Sequence, residues 1–236
     1  MTSNRFDPKF TPDLTKPELI IGLIWLVIHM FVLPLLTSPL MTWIPTLTEI
    51  EVNAAYYGIS LAVVMLFGFK MLRREFDHFA DRLGRCIKTL FMGYFIWYTL
   101  ALVMSIIMTA LSIEATPPND QAVDVLADQG YNIMMVISVI AAPILEEVLF
   151  RGVLFQSIRK KSRLWAYIAS LTLFGLYHTW QFAVIYQDPI YLLYSLQYIP
   201  ITLAITWSYE HSGSLWTAIF FHASNNYLAM SLMQFT

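Results

Sequence analysis

A chain with seven long apolar runs has few ways to fold. Runs at about 19–36, 53–69, 87–111, 131–158, 164–180, 189–207 and 214–234 each approach or exceed the roughly 17–25 residues that cross a bilayer as a helix. In a membrane each span must satisfy its own backbone hydrogen bonds, which leaves helices as the solution for runs of this length. Charged residues make up only 13% of the chain, against about 25% in a soluble domain. The expected fold is therefore all-α: a polytopic transmembrane bundle of about seven (6–8) spans. No linker divides it, so residues 1–236 read as a single integral-membrane domain. No internal repeat is visible, which gives no support to an inverted-repeat transporter. The third and fourth runs are long enough to tilt or project into water, and the fifth and sixth are short enough to be broken or re-entrant. Segment 37–52, with Trp43, Pro39, Pro45, Glu49 and Glu51, is too polar to span and suits an interfacial loop.

Lysine and arginine sort sharply along the chain. Arg5, Lys9 and Lys16 precede the first run; Lys70, Arg73, Arg74, Arg82, Arg85 and Lys88 separate the second from the third; Arg159, Lys160, Lys161 and Arg163 separate the fourth from the fifth. The alternate loops, 37–52, 112–130 and 181–188, contain neither. The positive-inside rule then places the N-terminus in the cytosol and, with seven spans, the C-terminus outside. A bacterial plasma membrane is the expected location. The polar stretch from Met1 to Glu18 has no apolar run of its own, so the first span is expected to act as an uncleaved insertion signal. One basic residue, Arg151, falls outside the pattern.

Several function classes are excluded early. The net charge of −2 and the lack of a basic patch beyond topology argue against nucleic-acid binding. One cysteine, Cys86, permits no intrachain disulfide. His29 has no polar neighbour along the chain and reads as a packed residue. His78 and His211 read as solvated loop residues, and Asp120, Asp124 and Asp128 as a solvated acidic face.

The chemistry sits in Ala141-Ala142-Pro143-Ile144-Leu145-Glu146-Glu147-Val148-Leu149-Phe150-Arg151-Gly152, two carboxylates and an arginine inside an apolar run. Ionisable groups at that depth are costly and face a protein interior or a water-filled cavity. Glu147 and Arg151 are four apart and can pair on one helix face. Glu146 points about 100° away and has no such partner. Two further polar clusters lie in other spans: Phe174 to His178 closes the fifth, and His222 and Asn226 share a face of the seventh. A free carboxylate, two histidines and an amide on three hydrophobic spans exceed what packing needs. Amide hydrolysis requires a base for water, donors for an oxyanion and a proton for the leaving amine; Glu146, His178, His222 and Asn226 could supply them. No His-Glu-x-x-His, no Gly-x-Ser-x-Gly within a span and no pair of intramembrane aspartates is present, against site-2, serine and presenilin-like chemistries.

Glu-Glu-x-x-x-Arg at 146–151, Phe-x-x-x-His at 174–178 and His-x-x-x-Asn at 222–226, in that order, resemble the CAAX-protease and bacteriocin-processing (Abi) family of intramembrane glutamate endopeptidases. The motif-bearing core runs from about 131 to 230, and residues before it carry no motif. The resemblance implies that Glu146 and His178 hold and activate water, that His222 and Asn226 stabilise the oxyanion, and that Glu147 and Arg151 form a supporting ion pair. It implies no cofactor. A zinc held by Glu146, His178 and His222 stays open, since carboxylate and imidazole are zinc ligands. The implied partners are the bilayer and a peptide or protein substrate, with lipidated and membrane-associated substrates among those the family allows. Two rivals remain: a non-catalytic immunity or scaffold protein of the same fold, and a proton- or cation-coupled transporter using Glu146, which would show flux without hydrolysis. Helical rise places Glu146 and His178 roughly 18 and 21 Å from the basic edge, and His222 and Asn226 roughly 12 and 18 Å. These groups are therefore expected to converge on one cavity, with cleavage near the cytosolic membrane surface.

Overall fold

The computed structural model describes residues 13–113 and 116–233. Within them the chain forms eight helices and no strand. They are α1 (Lys16–Trp43), α2 (Glu49–Asp81), α3 (Leu83–Ala110), α4 (Pro118–Arg159), α5 (Arg163–Tyr177), α6 (Trp180–Ile185), α7 (Pro189–Ser212) and α8 (Leu215–Met233). Five of these, α1 to α4 and α7, are long and apolar enough to cross a membrane. The all-α bundle is as expected. The polar residues up to 12, with Arg5 and Lys9, lie outside the described residues.

Local chemistry accounts for the helix starts. Thr15 and Glu18 form a capping box at the head of α1, and Thr48 and Glu51 form another at the head of α2, each satisfying amide donors that a helix start leaves unpaired. Inside α1, Pro34 has no N–H to offer the carbonyl four residues back. That carbonyl, of Met30, accepts Trp180 Nε1–H at 3.0 Å, which ties α6 to α1.

Two expected loops are corrected. Residues 37–43 continue α1, so the interfacial loop shrinks to 44–48. Residues 118–130 are the first part of α4, which bends at Gly130 before entering the span. Both segments alternate polar and apolar residues, which suits a helix lying along an interface as well as it suits a loop. The short fifth and sixth runs are indeed interrupted: α5 stops at Tyr177, and α7 begins as a 3-10 helix over Pro189–Tyr198.

The core is organised around α4. Every residue from Val148 to Phe155 is buried, in a π-helical stretch; a helix apolar all round belongs at the centre of a bundle. Leu145, Leu149 and Phe150 pack with Phe174 and Tyr177 of α5, Ile205 of α7 and Phe221 of α8. Gly152 permits this closeness, since a Cβ there would stand 3.0 Å from Met71 Cε and 3.3 Å from Leu215 Cδ2. The outward faces are apolar as well: Leu66, Phe91 and Leu102 are exposed on α2 and α3, as suits contact with lipid tails.

The two ends of the bundle differ. One gathers the basic turns, where Glu210 binds Arg159 and Arg163 and Ser214 binds the backbone of Glu75. The other gathers Glu49, Gln129, Asp120 and Tyr198, which are linked by side-chain hydrogen bonds.

Candidate active site

Three helices bring the expected residues together. Glu146 and Glu147 stand on α4, His178 caps the C-terminal end of α5, and His222 and Asn226 project from α8. Glu146 is 2% exposed, and its Oε2 lies 3.9 Å from His178 Nε2 and 3.9 Å from His222 Nε2. Those gaps exceed a direct hydrogen bond, yet a water can sit about 2.8 Å from both atoms of either pair. Oε2 has no protein hydrogen-bond partner among the described residues. The carboxylate without a local partner is thus the one that faces both imidazoles.

Glu147 is held differently. Its Oε1 accepts Arg151 Nη1–H at 3.0 Å and meets His222 Nδ1 at 2.8 Å. Arg151 is fully buried; it also reaches Thr206 Oγ1 and the Thr202 carbonyl at 3.4 Å and lies 4.5 Å over the Phe174 ring. The ion pair expected from spacing is present, and it has a task spacing could not show: the same Glu147 oxygen binds Nδ1 and so fixes the orientation of His222. Asn226 donates Nδ2–H to the Ser138 carbonyl at 2.8 Å, and its amide lines the same cavity as Glu146. The His178 ring stacks on Tyr198 at 4.6 Å and meets Phe174 edge-on at 4.7 Å. Gly175 lets that wall come close, since a Cβ there would stand 2.8 Å from the Ser195 carbonyl oxygen.

His29 is a correction. It is fully buried, and its Nδ1 pairs with Ser60 Oγ at 3.1 Å while Nε2 meets Tyr177 OH at 2.9 Å and Tyr56 OH at 3.1 Å. A residue expected to be merely packed instead anchors the side chain next to His178. No signal along the chain marks it, because its partners are 27 to 148 residues away. His78 and His211 lie in helices rather than loops, and His211 Nδ1 binds the Trp207 carbonyl at 2.8 Å.

Glu146, His178, His222 and Asn226 all line one cavity of about 1170 Å³. Convergence is as expected. The lining continues through Glu49, Asp120, Gln121, Gln181 and Tyr186, at the end without Lys or Arg, and includes no residue of the basic turns. An opening toward the cytosol or sideways toward its leaflet is the expectation, and the lining lies at the end of the bundle away from the basic turns. The physical reason is that buried polar contacts close the basic end: Gln156 Nε2 binds Tyr209 OH at 2.6 Å, and Glu75 Oε2 accepts Leu215 N–H at 2.7 Å. Among the described residues, no group of three or more His, Cys, Asp or Glu is arranged to hold a metal ion.

Comparison with known proteins agrees with these motifs. The family model described as "Type II CAAX prenyl endopeptidase Rce1-like" matches residues 128–228, the segment that contains Glu146, His178, His222 and Asn226. Residues 128–228 are thus similar to the CAAX-protease family over somewhat less than half of the chain. The chain is also similar to the Bacillus subtilis (strain 168) protein called "Putative membrane peptidase YdiL", with 28% identity over 149 residues. That likeness covers 62% of this chain and 56% of the relative, so the chain spans little over half the length of the curated relative it matches. No solved structure gives a significant match.

Proposed function

We propose that this protein is an integral-membrane endopeptidase of the CAAX-protease type, in which Glu146 activates water. The observation that carries the reading is the unpartnered Glu146 Oε2, 3.9 Å from two imidazoles at the floor of a cavity large enough for an extended peptide segment. Water held between Glu146 and His178 gives its proton to the carboxylate as its oxygen attacks the scissile carbonyl carbon. The carbonyl oxygen becomes an oxyanion facing His222 and Asn226. His222 Nδ1 is held by Glu147, which turns Nε2 toward the oxyanion as one donor. The second N–H of Asn226 Nδ2 is the other donor, its first being spent on Ser138. Protonated Glu146 then returns its proton to the amide nitrogen, the C–N bond breaks, and acid and amine leave.

A scaffold of the same fold would need Glu147 and Arg151 for stability but would have no use for an unpartnered buried carboxylate between two histidines. N-terminal proteomics of membranes from cells expressing wild type or Glu146→Ala tests the reading. New N-termini that depend on Glu146 support it; identical N-terminal profiles from both strains contradict it.

A further inference from the structure

The cavity's chemistry bears on what enters it, given the peptidase reading above. Segments 37–52, 112–130 and 181–188 together hold seven carboxylates and no Lys or Arg. Two of the seven, Glu49 and Asp120, line the cavity. Their hydrogen-bond partners are neutral: Gln129 Nε2–H at 3.0 Å from Glu49 and Tyr198 OH at 3.3 Å from Asp120. No ion pair among the described residues involves either one. Beside them stands a tyrosine wall, with Tyr186 stacked on Tyr191 at 4.8 Å and Tyr191 on Tyr194 at 6.0 Å. Aromatic faces attract Lys and Arg side chains. At the floor, Glu146 is a buried carboxylate with an unpartnered oxygen aimed into the same space. A passage with carboxylates outside any ion pair at the mouth, π-faces along one wall and no Lys or Arg in its lining selects positive charge and repels negative charge.

The side follows from the same asymmetry. The basic turns are at the far end of the bundle, and basic residues stay in the cytosol. We infer that the site is supplied from the extracytoplasmic side, and that it takes a cationic peptide segment whose Lys or Arg side chains pass Glu49, Asp120 and the tyrosine wall.

The test uses the full chain carrying Cys86→Ser, with one new cysteine at the mouth (Ala122→Cys) or in the basic turn (Lys161→Cys). In intact cells a membrane-impermeant maleimide should label Ala122→Cys, and should reach Lys161→Cys only after lysis. The reverse pattern overturns the inferred side. With the purified Ala122→Cys protein at constant ionic strength, a lysine-rich peptide should slow maleimide labelling about fivefold more than its glutamate counterpart. Glu49→Gln with Asp120→Asn should erase that difference. Equal or absent protection by the two peptides overturns the charge selection. None of these readouts requires turnover. Protection without Glu146-dependent cleavage would therefore sink the peptidase reading and leave the cationic site standing.

Discussion

The two ends of the bundle handle carboxylates in opposite ways. At the basic end, Glu210 accepts Arg159, Arg163 and Tyr167 at 2.6 to 2.9 Å, Glu18 and Asp13 share Arg74, and Glu75 takes the backbone of Leu215. At the cavity end, Glu49 and Asp120 have only neutral partners, and deeper in the cavity Glu146 Oε2 has none. A buried carboxylate with every oxygen satisfied closes and positions helices; one left unsatisfied carries a desolvation cost that a structural role does not explain. Glu147 stands between the two types: its Oε1 is paired to Arg151 and meets His222, while its Oε2, like that of Glu146, has no hydrogen-bond partner among the described residues.

The largest effect that would test this contrast is on Glu147. Glu147→Gln leaves Arg151 uncompensated in a fully buried site, and breaking such a pair costs about 3–5 kcal/mol. The thermal midpoint of the purified protein should fall sharply, and residual folded protein should hydrolyse poorly because His222 loses its charged partner. A stable, fully active Glu147→Gln would merge the two classes of carboxylate. His29→Ala comes next. It removes the imidazole partner of Ser60, Tyr56 and Tyr177, at about 2–3 kcal/mol, and kcat should fall several-fold as Tyr177 loosens beside His178; an unchanged melting curve would remove the anchor. Glu210→Gln at the basic end should cost about 1 kcal/mol, because Arg163 is half exposed and its pairing is screened. Its kcat should match wild type, and a catalytic loss there would blur the division between the ends. The smallest expected effect is that of a chelator: exhaustive chelation should leave activity unchanged, while loss restored by one equivalent of zinc would assign Glu146, His178 and His222 to a metal.

Much of the site was legible because helical spacing carries it. The i to i+4 spacing of Glu147 and Arg151 predicts their pairing, and the same geometry leaves Glu146 without a partner. Helical rise together with the sorting of basic loops predicts convergence on one cavity, and the shortness of the fifth and sixth runs allows the breaks seen around His178. Spacing along a helix reports depth, however, and depth is nearly symmetric about the midplane. Which end stays open depends on contacts between helices, such as Gln156 with Tyr209, and no single run encodes them. His29 escaped for the same reason. The helices within 37–52 and 118–130 escaped because a polar, amphipathic segment resembles a loop by composition; Thr48 followed by Glu51 was the one local sign that a helix starts there.

Turnover by purified Glu146→Gln, measured on a substrate that wild type cleaves, tests the central claim most directly. The amide is nearly isosteric but a poor base, so hydrolysis should vanish while the melting curve stays that of wild type. Full turnover by the folded Glu146→Gln protein would contradict the account.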